Sequence, residues 1–310
     1  MAAKEGEGAG RGAGGGVTRV AAWLAAIATL IAVPSVASTY FTVRKTCPVG
    51  GQKFKFQELG SISTWGSLPD GMPVGSGEFP IRLPQCPDNG LVMFRDFTRP
   101  EIAKLTPYVQ GEAYRGLRAA GETPYYLAFR TARMLGDADA EWLLLSAIWE
   151  AKNAGPAAVS RAARYNAEFV DLVKARAARA TDFESIAMRA RAANALRELG
   201  RFDEAESLRA AIVIAPNAGD GTENAAENRE GWAKYLRNLA APIARRDMSR
   251  VPIDMMTEDY AVYRCLEKEQ AAKHDLPEPP ALTEFEVRYC ARPELAQAIE
   301  QARKPSADAM

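Results

Sequence analysis

Between Arg19 and Arg44 the chain carries no charged residue, and the most apolar part of this run, residues 21–33, has the length of a secretory hydrophobic region. Pro34 followed by Ser35-Val36-Ala37 supplies a break and a small-x-small pattern, which predicts cleavage after Ala37. Residues 20–43 together also exceed the roughly 20 residues that cross a bilayer. The same pattern therefore predicts either a signal peptide or a retained N-terminal hydrophobic helix. Ahead of it, the Gly- and Ala-rich residues 1–19 predict a disordered tail. Beyond Lys45 the period changes: Lys53-Phe54-Lys55-Phe56-Gln57 alternates polar and apolar, as a half-buried strand does. Ile81 and Leu83 alternate likewise, and residues 91–97 form a third apolar run. Gly66, Gly71, Gly75 and Gly77, with Pro69, Pro73 and Pro80, predict turns between them. Residues 44–98 thus read as a small β-rich module, too small to hold itself together by burial alone and in need of a covalent or metal staple.

From Arg99-Pro100 the apolar positions fall at three- and four-residue spacings, which predicts helices. Thr123-Pro124 reads as an N-cap with proline at the first helical position, opening a helix through Tyr125, Phe129, Ala132 and Leu135 that Gly136 ends. Trp142, Leu145, Ile148 and Trp149 mark its partner, which Gly155-Pro156 breaks. A longer helix is expected over residues 157–180, with Tyr165, Phe169, Leu172 and Val173 on one face. Thr181 and Glu184 have the spacing of a capping box, and open a helix to Leu199-Gly200. Its partner starts at Arg201-Phe202 and is expected to end near Ala215-Pro216-Asn217. Trp232, Leu236, Leu239 and Ile243 form a further face, followed by two short helices near residues 260–267 and 283–289. The expected divisions are a helical-repeat domain over residues 99–245, C-terminal helices over 246–303 and a tail over 304–310.

Composition alters this picture in two ways. The 310 residues hold 39 basic and 39 acidic side chains, a balance without the cationic excess by which nucleic-acid binding is recognised, so no nucleic-acid partner is expected. All four cysteines, Cys47, Cys86, Cys265 and Cys290, follow the apolar run, and their even number suits an oxidising compartment beyond a membrane. The expected location is the cell envelope, anchored in the inner membrane through residues 20–43 or released beyond it.

Cys47-Pro-Val-Gly-Gly, the Phe-x-Phe strand, the Pro-rich gap and Cys86-Pro-Asp-Asn-Gly come in an order that, with the helices behind them, resembles an uncharacterised bacterial family. That family has a zinc ribbon ahead of tetratricopeptide-like helical hairpins, and the likeness spans about residues 46–213. It implies a mainly α fold with a small β-rich ribbon module in front. It also implies four cysteine ligands, yet Gly50 and Asn89 occupy the second position of each cysteine turn, so the ribbon is degenerate. Three states of Cys47 and Cys86 remain open: a metal site completed by Asp88 or Glu78 oxygens, a disulfide, or two free thiols. Zinc is disfavoured by the ligand count, and no cofactor is expected. A Cys265 to Cys290 disulfide would clip the terminal helices together. The Leu-Gly pairs at 135/136 and 199/200 lie close to two periods of about 34 residues apart, which suits stacked hairpins.

Candidates for catalysis are few. His274 is the single histidine and sits among Lys273, Asp275 and prolines, an unpromising base for a nucleophilic triad. No phosphate loop, nucleophile elbow or dinucleotide fingerprint occurs. The expected function is therefore a non-enzymatic envelope scaffold that binds a protein or peptide partner. The alternative is a redox or zinc-linked sensor using Cys47 and Cys86.

Overall fold

A computed structural model describes residues 39–303. Most of the apolar run, residues 20–38, lies outside that range, as do the expected tails. Residues 39–43 correct the expected boundary: they begin a strand, β1 (Thr39–Thr46), antiparallel to β2 (Lys53–Ser61). Thr39, Tyr40, Phe41, Thr42 and Val43 are β-branched or aromatic, and strand pairing with residues 56–61 suits them. A second hairpin joins β3 (Thr64–Ser67) to β4 (Pro73–Gly75). The strands expected at Ile81 and Leu83 and over residues 91–97 do not form. Pro80 and Pro84 cannot donate to a ladder, and the second run contributes only an isolated bridge between Gln85 and Val92.

Eleven α-helices follow among the described residues. The first two, α1 (Arg99–Gln110) and α2 (Glu112–Ala119), pack with α3 (Pro124–Leu135) around Cys47, Cys86, Leu91, Leu105 and Tyr114, so the cysteine module and the start of the helical body share one core. Thr123 caps α3 as expected, its hydroxyl accepting from the Tyr126 amide at 3.3 Å, and Gly136 ends that helix at φ 77°. Then come α4 (Ala140–Asn153), α5 (Val159–Ala175), α6 (Phe183–Glu198), α7 (Phe202–Ala210) and α8 (Ala225–Ala244). Each packs on its predecessor around Phe129, Leu144, Ile148, Tyr165, Phe169 and Leu196.

Several expected boundaries move. Helix α5 stops at Ala175, because the Arg176 guanidinium turns to the Ala138 carbonyl at 2.8 Å and to Glu141 at 2.9 Å. Asp182, rather than Thr181, caps α6, accepting from the Glu184 amide at 3.2 Å, while the Thr181 carbonyl is taken by the Gly219 amide. Helix α7 ends at Ala210, well before Pro216; the segment behind it returns to bond Ala180 through the Ala215 amide. The C-terminal region holds three helices in place of the expected two: α9 (Glu258–Lys273), α10 (Glu284–Cys290) and α11 (Pro293–Arg303). Their core is Ile253, Leu266, Leu295 and Ile299, beside Cys265 and Cys290.

Candidate functional site

Between β3 and β4 the chain makes a tight turn whose tip is Pro69-Asp70-Gly71. The turn is held from within: the Leu68 amide donates to the Met72 carbonyl and the Gly71 amide to the Leu68 carbonyl, both at 2.8 Å, and Asp70 Oδ1 accepts from the Met72 amide. A turn of this composition normally faces water. Here Asp70 is 3% exposed, because the tip is inserted against α4, α6 and α8.

Each of the three helices contributes donors aimed at the tip. From α4, Trp149 Nε1 reaches the Asp70 carbonyl at 3.2 Å and Lys152 Nζ the Asp70 carboxylate at 2.8 Å. From α6, Arg191 Nη1 bonds the Pro69 carbonyl at 2.7 Å; from α8, the Tyr235 hydroxyl bonds the same oxygen at 2.7 Å. The Arg191 guanidinium is fixed in turn over the rings of Trp232 and Tyr235, 5.1 and 4.7 Å from their centroids. Gly71 adopts φ 88°, and a β-carbon there would come within 2.6 Å of Arg191 Nε. Only glycine lets the turn lie so close to the helix.

Beneath the tip lies a buried ion network. Lys152 bridges Asp70 and Glu198, with 2.6 Å to Glu198 Oε2. Asn194 and Asn166 donate to the two Glu198 oxygens. Arg250 approaches Asp70 to 3.6 Å while bonding Asn153. The segment carrying Arg250 is positioned by fully buried Arg197, whose guanidinium donates to the carbonyls of Asp247 and Ser249 and to Asn194 Oδ1. Burial pushes the Asp70 carboxyl up, but Lys152, Arg250 and the Met72 amide outweigh it and hold the group below its ordinary value. A cavity of 410 Å³ adjoins the network, lined among others by Lys152, Asn166, Glu198, Met248 and Arg250.

The backbone carbonyls of the tip are thus held by Trp, Arg and Tyr donors, and its carboxylate by two cations. In sequence, Pro69 and Gly71 read only as turn residues and Trp149 and Trp232 only as helix-face positions, while Asp70, Lys152, Arg191 and Tyr235 belong to no motif. Lys152 was the available signal, a cation on a helix whose remaining stripe is Trp, Leu and Ile.

The four cysteines are placed as two pairs. Cys47 bonds Cys86 and Cys265 bonds Cys290, with Cα separations of 5.6 and 5.7 Å. The two cysteine turns repeat each other: the Gly51 amide donates to the Cys47 carbonyl, and the Gly90 amide to the Cys86 carbonyl. Positions 50 and 89 also face one another. An Asn89 Nδ2 bond of 2.8 Å to the Val49 carbonyl ties the turns together, and a β-carbon on Gly50 would lie 3.9 Å from that nitrogen. Positions 47, 50, 86 and 89 thus lie together, occupied by a disulfide, a glycine and an amide. The sulfurs are bonded to each other, Asp88 and Glu78 are exposed, and among the described residues no three His, Cys, Asp or Glu groups converge. Cys47 and Cys86 are 2% and 0% exposed, which keeps solution thiols and oxidants from them. His274 is exposed at the end of α9. Among the described residues, no helix is long and apolar enough to cross a membrane.

Comparison with known protein families, with curated proteins and with solved structures finds no match to this chain.

Proposed function

We propose that this protein is a non-enzymatic scaffold of the cell envelope whose helical body, a tetratricopeptide-like stack of hairpins, binds extended peptide segments. The observation that carries this reading is the Pro69-Asp70-Gly71 tip seated on α4, α6 and α8, gripped through its carbonyls and one carboxylate. The chain performs in cis the kind of recognition the reading assigns to it. Sequential packing of α3 to α8 fits a repeat stack, which presents such a face by construction. The cysteine pairing favours an oxidising compartment, and the uncharged run of residues 20–38 supplies a route to it.

The reading is tested in trans. Asp70→Arg sets a cation against Lys152 and Arg250 and expels the tip. A labelled peptide spanning residues 67–76 should then bind the variant saturably and the original chain not at all. Absence of binding to an Asp70→Arg chain that keeps its helical circular dichroism would sink the proposal.

A further inference from the structure

The two faces of the β1–β2 hairpin differ in a way its packing does not require. Register places Phe41, Val43, Lys45, Phe54, Phe56 and Glu58 on one face. Phe54 there packs toward the cysteine core, and Lys45 pairs with Glu58 at 3.1 Å. The opposite face carries Tyr40, Thr42, Arg44, Lys53, Lys55, Gln57 and Leu59. Its three cations are exposed, have no ion-pair partner among the described residues, and are opposed by no carboxylate on that face. At one end both faces carry an exposed ring, Phe41 on the first and Tyr40, 51% exposed, on this one; Tyr40, Leu59 and Ile81 open onto a hollow of 610 Å³ that the paired Glu78 and Arg82 also line. Trp65, just beyond β2, is 56% exposed.

In sequence, β1 follows directly on the uncharged residues 20–38. The apolar, aromatic end of the face is therefore the end nearest that run, and the cations lie further along the strands. An exposed ring and unpaired basic side chains on one face, adjoining a hydrophobic segment in sequence, match the chemistry of a bilayer surface, where rings sit among headgroups and cations meet anionic phosphates. We propose that this outer face of the β1–β2 hairpin lies flat on an anionic phospholipid bilayer, with Tyr40 at the interface and Arg44, Lys53 and Lys55 on lipid phosphates. The proposal extends the envelope reading above, and a retained membrane segment at residues 20–38 would hold this face beside the bilayer without being required for it. Charge balance over the whole chain hides this surface, since the cationic excess is local to one face.

The test uses the full chain reconstituted into nanodiscs of phosphatidylcholine alone or mixed with phosphatidylglycerol, and reads acylation of individual lysines by a membrane-impermeant reagent. Lys53 and Lys55 should react about fivefold more slowly on the anionic discs, with protection lost at high salt, while exposed Lys234 on α8 reacts equally on both. Arg44→Glu should restore labelling of Lys53 and Lys55 on anionic discs and leave Lys234 unchanged. Equal labelling of Lys53 and Lys55 on both lipids overturns the proposal, and so does protection that is indifferent to salt, which would indicate a protein contact. Extraction of the chain by alkaline carbonate is a separate readout: it would refute the retained anchor, whereas lipid-dependent protection would still uphold the docking face.

Discussion

Lys152 on α4 holds the Asp70 carboxylate at 2.8 Å across 82 residues of chain, with both side chains nearly excluded from water. The same ammonium holds Glu198, so removing it leaves two buried carboxylates facing a vacated cation position. Lys152→Met is expected to cost about 3 to 5 kcal/mol. Asp70→Asn leaves Lys152 paired with Glu198 and keeps an acceptor for the Met72 amide, so its cost is expected nearer 1 to 3 kcal/mol. Urea unfolding of the two variants checks the order; an equal or reversed order would show that the network is not centred on Lys152.

Acid should weaken this seam. The folded Asp70 pKa lies below its ordinary 3.8, so its contribution is complete above that value and is lost as pH falls through the folded pKa. Glu150 acts in the opposite sense. Burial raises its pKa above the ordinary 4.5 even though the Tyr125 amide and Thr123 donate to it, so its ionisation opposes folding at neutral pH and this penalty fades on acidification toward 4.5. Thermal melts against pH should show Asp70→Asn flattening the limb below about pH 4. Glu150→Gln should raise stability at pH 7 and leave that limb in place.

The two disulfides close loops with sequence separations of 39 and 25, which the chain-entropy model values at about 4 and 3.5 kcal/mol. Their consequences should differ more than these figures do. Cys47 and Cys86 sit in the core shared with α1 to α3, so Cys47→Ser with Cys86→Ser is expected to speed amide exchange in those helices as well as in β1 and β2. Cys265→Ser with Cys290→Ser should loosen α9 to α11 and leave α1 to α3 protected. Exchange measured segment by segment distinguishes the two patterns.

Gly71→Ala should be costly for two separable reasons, the φ of 88° and the clash with Arg191. In an Arg191→Ala background only the backbone strain remains, about 1 to 2 kcal/mol. A double-mutant cycle should therefore give a coupling of about 1 kcal/mol or more between the positions. Additive costs would mean that Arg191 moves aside freely and does not hold the tip.

Helix starts were legible where the cap is local. Thr123-Pro124 and Gly136 bound α3 because a hydroxyl, a ring and a left-handed glycine act within one turn of the chain. Pro293 and Glu294, followed by Leu295 and Ile299, carry a comparable local signal for α11. Boundaries set by distant partners were not legible. The segment after Ala175 is Arg-Ala-Ala-Arg, a good helix former by propensity, and it leaves the helix because Arg176 finds Ala138 and Glu141. The candidate site was hidden for the same reason. Pro69-Asp70-Gly71 has the composition of a solvated turn, and nothing near it in sequence indicates that three helices enclose it. Strand edges suffered too: Thr39 to Val43 is as uncharged as the run before it, and only pairing with β2 separates the two.

The docked tip also sets an order of events. Pro69 leaves the ribosome 166 residues ahead of Tyr235, and Met72 178 residues ahead of Arg250. At about 5 to 20 residues per second the tip waits about 9 to 36 seconds for the last of its partners. Until those partners exist the tip lacks the donors that enclose it, and Asp70 is expected to be open to proteases. Completion of α8 and of the segment carrying Arg250 withdraws it. A nascent chain halted before residue 250 should thus expose an epitope that the finished protein conceals, which makes the tip a marker of whether the helical body has been completed.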